Sequence, residues 1–182
     1  AKSTSLNEPW RYVGDLFAHG VDGVALDEDV SCADLFSLDG KDVLLCISHR
    51  MGCRYYIGEW KNEQFYPESH AQMSWVDNTF FAPESMLDDK GRRIMWSWLL
   101  DFREFGVRLE QGWSGTMSLP RVLWLEDGEM RMDVPEEIEL LRYRPELQQN
   151  IEIQSDAEVT LERIRGKSIE IQVEFVEPLA KE

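Results

Sequence analysis

Positive charge is scarce in this sequence: 19 Lys and Arg stand against 35 Asp and Glu, for a net charge of −16. Gripping a phosphate backbone takes clustered Lys and Arg, so DNA and RNA are excluded as partners. Anionic membrane surfaces are disfavoured for the same reason. Long hydrophobic runs are missing too. The longest, Val43-Leu44-Leu45-Cys46-Ile47, is one strand's worth and far short of the ~20 apolar residues that cross a bilayer. The N-terminus has no basic-then-apolar leader pattern. Cysteine is sparse and odd in number. Cys32, Cys46 and Cys53 lack metal-ligand spacing, which points to reduced thiols, no metal and a cytoplasmic setting. Helical periodicity is confined to Pro135–Leu147, where Pro135-Glu136-Glu137 suits a first turn.

What is present reads as β-structure. Hydrophobic residues make up 43% of 182, enough for the core of one domain and a fraction of another. Seven Trp, eight Phe and five Tyr exceed what such a core needs, and a flat exposed ring stacks well on a sugar or a base. Apolar runs flank four turn signals. They are Asp39-Gly40 between Leu35–Leu38 and Asp42–Ile47, and Lys61-Asn62-Glu63 between Arg54–Trp60 and Gln64–Tyr66. Asp88–Gly91 separates Ser85–Leu87 from Arg93–Trp98, and Glu126-Asp127-Gly128 separates Val122–Leu125 from Glu129–Met132. Each is a hairpin signal.

The hairpins repeat. Ala33-Asp34-Leu35-Phe36, a turn and an apolar strand recur as Pro83-Glu84-Ser85-Met86, a turn and an apolar strand, at an offset of 50 residues with one residue added in the second turn. A period of roughly 40–50 residues with four strands per unit is the mark of a β-propeller, with an unrelated sandwich as the alternative. Beyond Tyr143-Arg144-Pro145 the pattern changes. Ile151–Ile153, Glu158–Leu161 and Ile169–Phe175 alternate apolar and polar with period two, and Trp is absent after Trp124. The expected organisation is all-β: a partial propeller over 1–147 and the first strands of a sandwich over 148–182.

Three segments, in order and spacing, resemble glycoside hydrolase family 32, the β-fructofuranosidases (invertase, inulinase, levanase and sucrose-6-phosphate hydrolase). They are Ser31-Cys32-Ala33-Asp34-Leu35-Phe36 with Leu38-Asp39-Gly40-Lys41, and Phe80-Phe81-Ala82-Pro83-Glu84-Ser85 with Asp88–Trp98. The third is Gly112-Trp113-Ser114-Gly115 with Ser118-Leu119-Pro120-Arg121 and Glu139–Arg142. The resemblance implies a five-bladed propeller with a C-terminal sandwich, of which this chain holds the later blades and the start of the sandwich. It implies fructosides such as sucrose, inulin or levan as carbohydrate ligands, no cofactor, and a retaining mechanism with two carboxyls. The family's nucleophilic Asp sits in an Asn-Asp-Pro-Asn-Gly motif and a second Asp in Arg-Asp-Pro; neither motif occurs here. The stretch Asn7–Gly14 resembles the family's segment just downstream of Arg-Asp-Pro. On this reading the chain is a fragment, or completes its propeller with a missing N-terminal segment, a partner chain or a second copy. Unpaired strand edges would invite such pairing.

The family's general acid is a Glu directly before Cys, and Ser31 holds that position. A hydroxyl keeps its proton too tightly to act as an acid near neutral pH, so the isolated chain is expected to be inactive. Glu84 is the candidate substitute acid or substrate contact; the competing reading is a strand-start carboxylate bonded to backbone amides. Asp34 is a candidate sugar contact, or else holds loop amides near the site. Glu28 and Asp29 read as a solvated acidic loop. Trp96 and Trp98 fall on one face of a strand and are candidate sugar platforms, with core packing as the alternative. Trp113 reads as loop-borne and substrate-binding. Arg121 reads as a buried anchor, His49 and His70 as surface or core histidines, and Cys32 as a small buried residue.

Overall fold

Each of the four turn signals closes a hairpin. The computed structural model describes residues 1–17, 20–74 and 79–175. Strands β1 (Ser31–Leu38) and β2 (Lys41–Ser48) meet at Asp39-Gly40, with φ of 50° and 82°. Two successive left-handed residues make the tight turn whose twist matches that of the strands, and glycine takes the second position without steric cost. Strands β3 (Gly52–Lys61) and β4 (Gln64–Gln72) join through Asn62-Glu63 alone, at φ 54° and 65°, because Lys61 still pairs with Gln64. The turn between β5 (Phe80–Leu87) and β6 (Arg93–Leu99) is wider. There the Asp88 carboxylate accepts from the Lys90 and Arg92 amides at 3.0 and 2.7 Å. After helix α1 (Phe105–Gln111) and the two-residue β7 (Thr116–Met117), β8 (Arg121–Glu126) and β9 (Glu129–Asp133) close on Asp127-Gly128.

These strands form two antiparallel sheets, β1-β2-β3-β4 and β5-β6-β8-β9, with β7 beside β6. The repeat read from the sequence is structural. Asp34 pairs with Leu45 and Glu84 with Trp96, so the offset is 50 along the first strand and 51 along the second. The extra residue lies in the turn between them. Helix α1 was not expected from periodicity. It buries no residue and ends at Gly112, whose amide returns to the Arg108 and Leu109 carbonyls. At Pro135–Leu147 the expected helix is shorter and tighter, a 3₁₀ helix over Glu136–Leu141 with no buried side chain.

The first sheet is buried on both faces, which explains the unbroken apolar run of β2. On one face Val43, Leu45, Cys53, Tyr55 and Ile57 pack with Met95, Leu123 and Met130 of the second sheet. On the other, Leu44, Cys46, Tyr56 and Phe65 pack with Phe17, Val21, Val24 and Val30 from the segment before β1. Polar ties reinforce the contact between sheets. The Leu125 amide donates to Asp39 Oδ2 at 2.8 Å, and the Met130 amide to the Tyr55 hydroxyl at 3.2 Å. The Arg93 guanidinium lies 4.2 Å from the centre of the Phe36 ring. Burial pushes the Cys46 thiol up to about 12, which makes it a packing residue rather than a nucleophile.

The chain divides into two compact units, Ala1–Pro135 and Glu136–Glu182. In the second, the three alternating segments Ile151–Ile153, Glu158–Leu161 and Ile169–Phe175 run as irregular backbone, and no strand occurs among described residues 142–175. Period-two alternation marks a segment able to be a strand. A strand exists only through hydrogen bonds to a neighbour, and no such ladder forms between these three. Residues 176–182 of the expected sandwich lie outside the described residues.

Candidate active site

Two matching irregularities shape the site. The β1–β2 register breaks between Ser31 and Asp34, and the β5–β6 register breaks between Phe81 and Glu84. Inside each break sits a non-glycine residue with positive φ, Cys32 at 50° and Ala82 at 46°. A bulge re-aims the side chains beside it, and strained non-glycine residues in such bulges cluster at functional sites. Cys32 is therefore exposed rather than buried, a correction to the sequence reading: the bulge turns its thiol outward.

The paired bulges bring Asp34 and Glu84 together. Asp34 Oδ2 accepts both the Ser85 amide, at 2.9 Å, and the Ser85 hydroxyl, at 2.5 Å. Backbone-amide bonding at this strand start thus belongs to Asp34, and it pins β1 to β5. Glu84 makes no such bond among the described residues and is exposed. Its carboxyl is pushed above the usual range, first by partial desolvation and then by the neighbouring Asp34 charge. Both effects favour the protonated form, the form a proton donor needs.

Ser31 lies at the head of the first bulge, and its hydroxyl donates to Asp29 Oδ2 at 3.0 Å. Asp29 also accepts the His49 amide on Oδ1 at 3.0 Å and meets His49 Nδ1 through Oδ2 at 2.8 Å. The hydrogen bond from His49 holds its carboxyl below the usual range. A carboxylate only accepts, so the proton of that bond sits on Nδ1. The acidic run is therefore not a free solvated loop. Asp27 pairs with Arg50 at 2.8 Å and Asp29 with His49, because the loop folds back onto the β2–β3 turn. Glu28 is half-buried, and its Oε1 has no hydrogen-bond partner among the described residues. His70 is half-buried: its Nε2 donates to the Asp22 carbonyl at 2.7 Å and its Nδ1 meets Arg54.

Aromatic rings link the bulges to the second sheet. Phe81 packs edge-to-face against His49, with centroids 5.8 Å apart, and against Trp98, at 6.4 Å. Trp96 and Trp98 share one side of β6 while Ser97 between them is buried; Trp96 is half-buried and Trp98 is 44% exposed. Trp98 is thus the more open ring. Gly115 lies against it at φ 71°, and a Cβ there would fall 1.9 Å from the indole nitrogen. Trp113 is exposed on its loop, but the Arg103 guanidinium covers one ring face at 3.9 Å. Asp101 fixes that guanidinium in an ion pair at 2.6 Å, which holds the Asp101 carboxyl far below its usual range. A cavity of about 370 Å³ opens here between Trp98, Phe102, Arg103 and Arg108. Arg121 is half-buried at the start of β8. Among the described residues no three His, Cys, Asp or Glu gather to hold a metal.

Sequence reasoning singled out Ser31, Asp34, Glu84 and Trp98 but passed over Phe81 and the Asp29–His49 pair. The 50-residue offset was the available signal for Phe81, since it puts Phe81 at the position equivalent to Ser31. No local pattern joins Asp29 to His49, twenty positions apart.

The family model for the glycosyl hydrolases family 32 N-terminal domain matches residues 2–134. The chain belongs to glycosyl hydrolase family 32. Among similar proteins, the sucrose-6-phosphate hydrolase of Zymomonas mobilis is 29% identical over 138 residues, 70% of this chain and 27% of that protein. The fructan 1-exohydrolase w2 of Triticum aestivum is 33% identical over 132 residues, 67% and 22% respectively. Of solved structures, fructan 1-exohydrolase IIa from Cichorium intybus superposes with a TM-score of 0.53 at 25% identity, covering 63% of this chain and 26% of its own. The β-fructofuranosidase BmSUC1 of Bombyx mori gives 0.54 at 26%, covering 63% and 27%. These are propeller proteins, and the two sheets of this chain are blades of that fold. Single-residue variants of the Cichorium and Bombyx proteins have been solved in complex with 1-kestose and with sucrose, respectively. The chain spans about a quarter of the length of the curated relatives it matches.

Proposed function

We propose that this chain forms the far wall of a fructoside-handling funnel, acting on sucrose, inulin-type or levan-type sugars together with the family's nucleophile motif. The observation that carries this reading is the pair of bulges. They set Asp34 and Glu84 side by side at the heads of two blades, with Glu84 tuned toward its protonated form. Glu84 is the polar group that meets the sugar, as acid or as contact. Trp98 offers a stacking ring, with Trp96 and the open face of Trp113 beside it. Residues 148–182 belong in this reading to the opening of a sandwich, supported by their alternation. Exposed blade edges suit pairing with a further segment or a second copy; a strictly monodisperse monomer in light scattering counts against the second copy.

The test combines this chain with a polypeptide carrying Asn-Asp-Pro-Asn-Gly and Arg-Asp-Pro and measures glucose release from sucrose and fructose release from inulin. Hydrolysis by the pair supports the reading. A second reading, a non-catalytic carbohydrate-binding propeller, is favoured by Ser31 at the acid position. It wins if fructo-oligosaccharides bind without turnover and neither Ser31→Glu nor Glu84→Gln alters that.

A further inference from the structure

We propose that the Asp29–His49 pair is the acid–base group of this site, standing in for the carboxyl that position 31 lacks. The inference rests on the fructoside reading. Ser31 cannot protonate a leaving alcohol, and its own hydroxyl proton points to Asp29 Oδ2 at 3.0 Å. That same oxygen holds His49 Nδ1 at 2.8 Å, while Asp29 Oδ1 takes the His49 amide at 3.0 Å. A carboxylate bound to Nδ1–H fixes an imidazole's orientation and stabilises its charged form, leaving Nε2 to exchange the proton. His49 Nε2 has no partner among the described residues, and the side chain is 70% exposed. One edge of the ring packs on Phe81, which packs on Trp98, so the imidazole stands in the aromatic row that a sugar would lie along. The other charges nearby are engaged or set back: Arg50 pairs with Asp27, and Glu28 is half-buried.

The chemistry balances with two reactants named by class, a nucleophilic carboxylate from the family's Asn-Asp-Pro-Asn-Gly motif and a water. The imidazolium Nε2–H passes its proton to the glycosidic oxygen as the bond to the anomeric carbon breaks and the carboxylate bonds to that carbon. The neutral imidazole then takes a proton from the incoming water, whose oxygen displaces the carboxylate. Glu84 is left to hold sugar hydroxyls.

Leaving-group dependence tests the assignment. Fluoride departs without a proton and sucrose's glucosyl oxygen does not, so loss of an acid harms sucrose selectively. In the assembled pair of polypeptides, His49→Gln is expected to lower kcat/KM for sucrose about 100-fold or more while lowering kcat/KM for β-fructofuranosyl fluoride far less, since kcat/KM reads only the steps up to the fructosyl intermediate. Asp29→Asn should show the same selectivity, and Ser31→Glu placed in the His49→Gln background should restore sucrose turnover. Equal loss of kcat/KM for both substrates on His49→Gln marks a structural role and overturns the inference. So does a selective sucrose loss on Glu84→Gln with none on His49→Gln. Wild type that turns over the fluoride but not sucrose overturns the acid assignment alone. Wild type that turns over neither overturns the fructoside reading itself.

Discussion

Glu84 and Gly115 show how much single residues carry at this site. The folded state raises the Glu84 carboxyl, so above its folded ionisation range Glu84 is charged at a cost that the unfolded chain does not have. That penalty fades as pH falls through the raised range and is gone below the ordinary glutamate range. Glu84→Gln should therefore unfold at higher urea than wild type at neutral pH, with the gap closing toward pH 4, about the ordinary glutamate value. An equal gap at both ends would refute the cause given. Gly115 faces two penalties at once, a left-handed backbone and the Trp98 indole at 1.9 Å from an added Cβ. Gly115→Ala should cost more than the roughly 1–2 kcal/mol of the left-handed conformation alone, and should shift Trp fluorescence because Trp98 must move. The turn glycine Gly40 has open space around it at φ 82°, so Gly40→Ala should show only the conformational part and no fluorescence change.

At the scale of elements, the twin bulges matter more than any one strand. They hold Cys32 and Ala82 in conformations that non-glycine residues avoid, and Asp34 secures them by bonding Ser85 across the two blades. Hydrogen bonds to a charged group contribute about 1.5–3 kcal/mol, so Asp34→Ala should destabilise by that order in equilibrium unfolding. Asp34→Asn keeps an acceptor oxygen and should lose less. Removing the Asp34 charge should also let the Glu84 carboxyl fall back toward its ordinary range, measurable by NMR titration. The hairpins were legible because their turns are local: Asp39-Gly40 and Asp127-Gly128 specify left-handed pairs within two residues. Helix α1 was not, because its seven residues bury no side chain fully and leave no apolar stripe to read.

For the whole molecule, stability of the first unit rests on the contact between its blades. Met95 is fully buried between Leu45, Tyr55 and Leu123, and Met95→Ala should cost about 2–5 kcal/mol by urea unfolding. The second unit has no strands among its described residues, and Arg163, Arg165 and Lys167 are exposed. Brief trypsin treatment should cut there first and leave a resistant core ending near Pro135. Early cuts within β2 or β3 would refute this division of stability.

Turn chemistry, the period of 50 residues and the family motifs lie along the chain, so the all-β class, the blades and the family could be read from residues alone. The Asp34–Ser85 tie, the shift of Glu84 and the joining of Asp29 to His49 were settled only by the tertiary structure. Each depends on how two strands bulge and how one loop folds back. Distance in space between residues 20 to 51 apart is decided by packing, which no local pattern encodes.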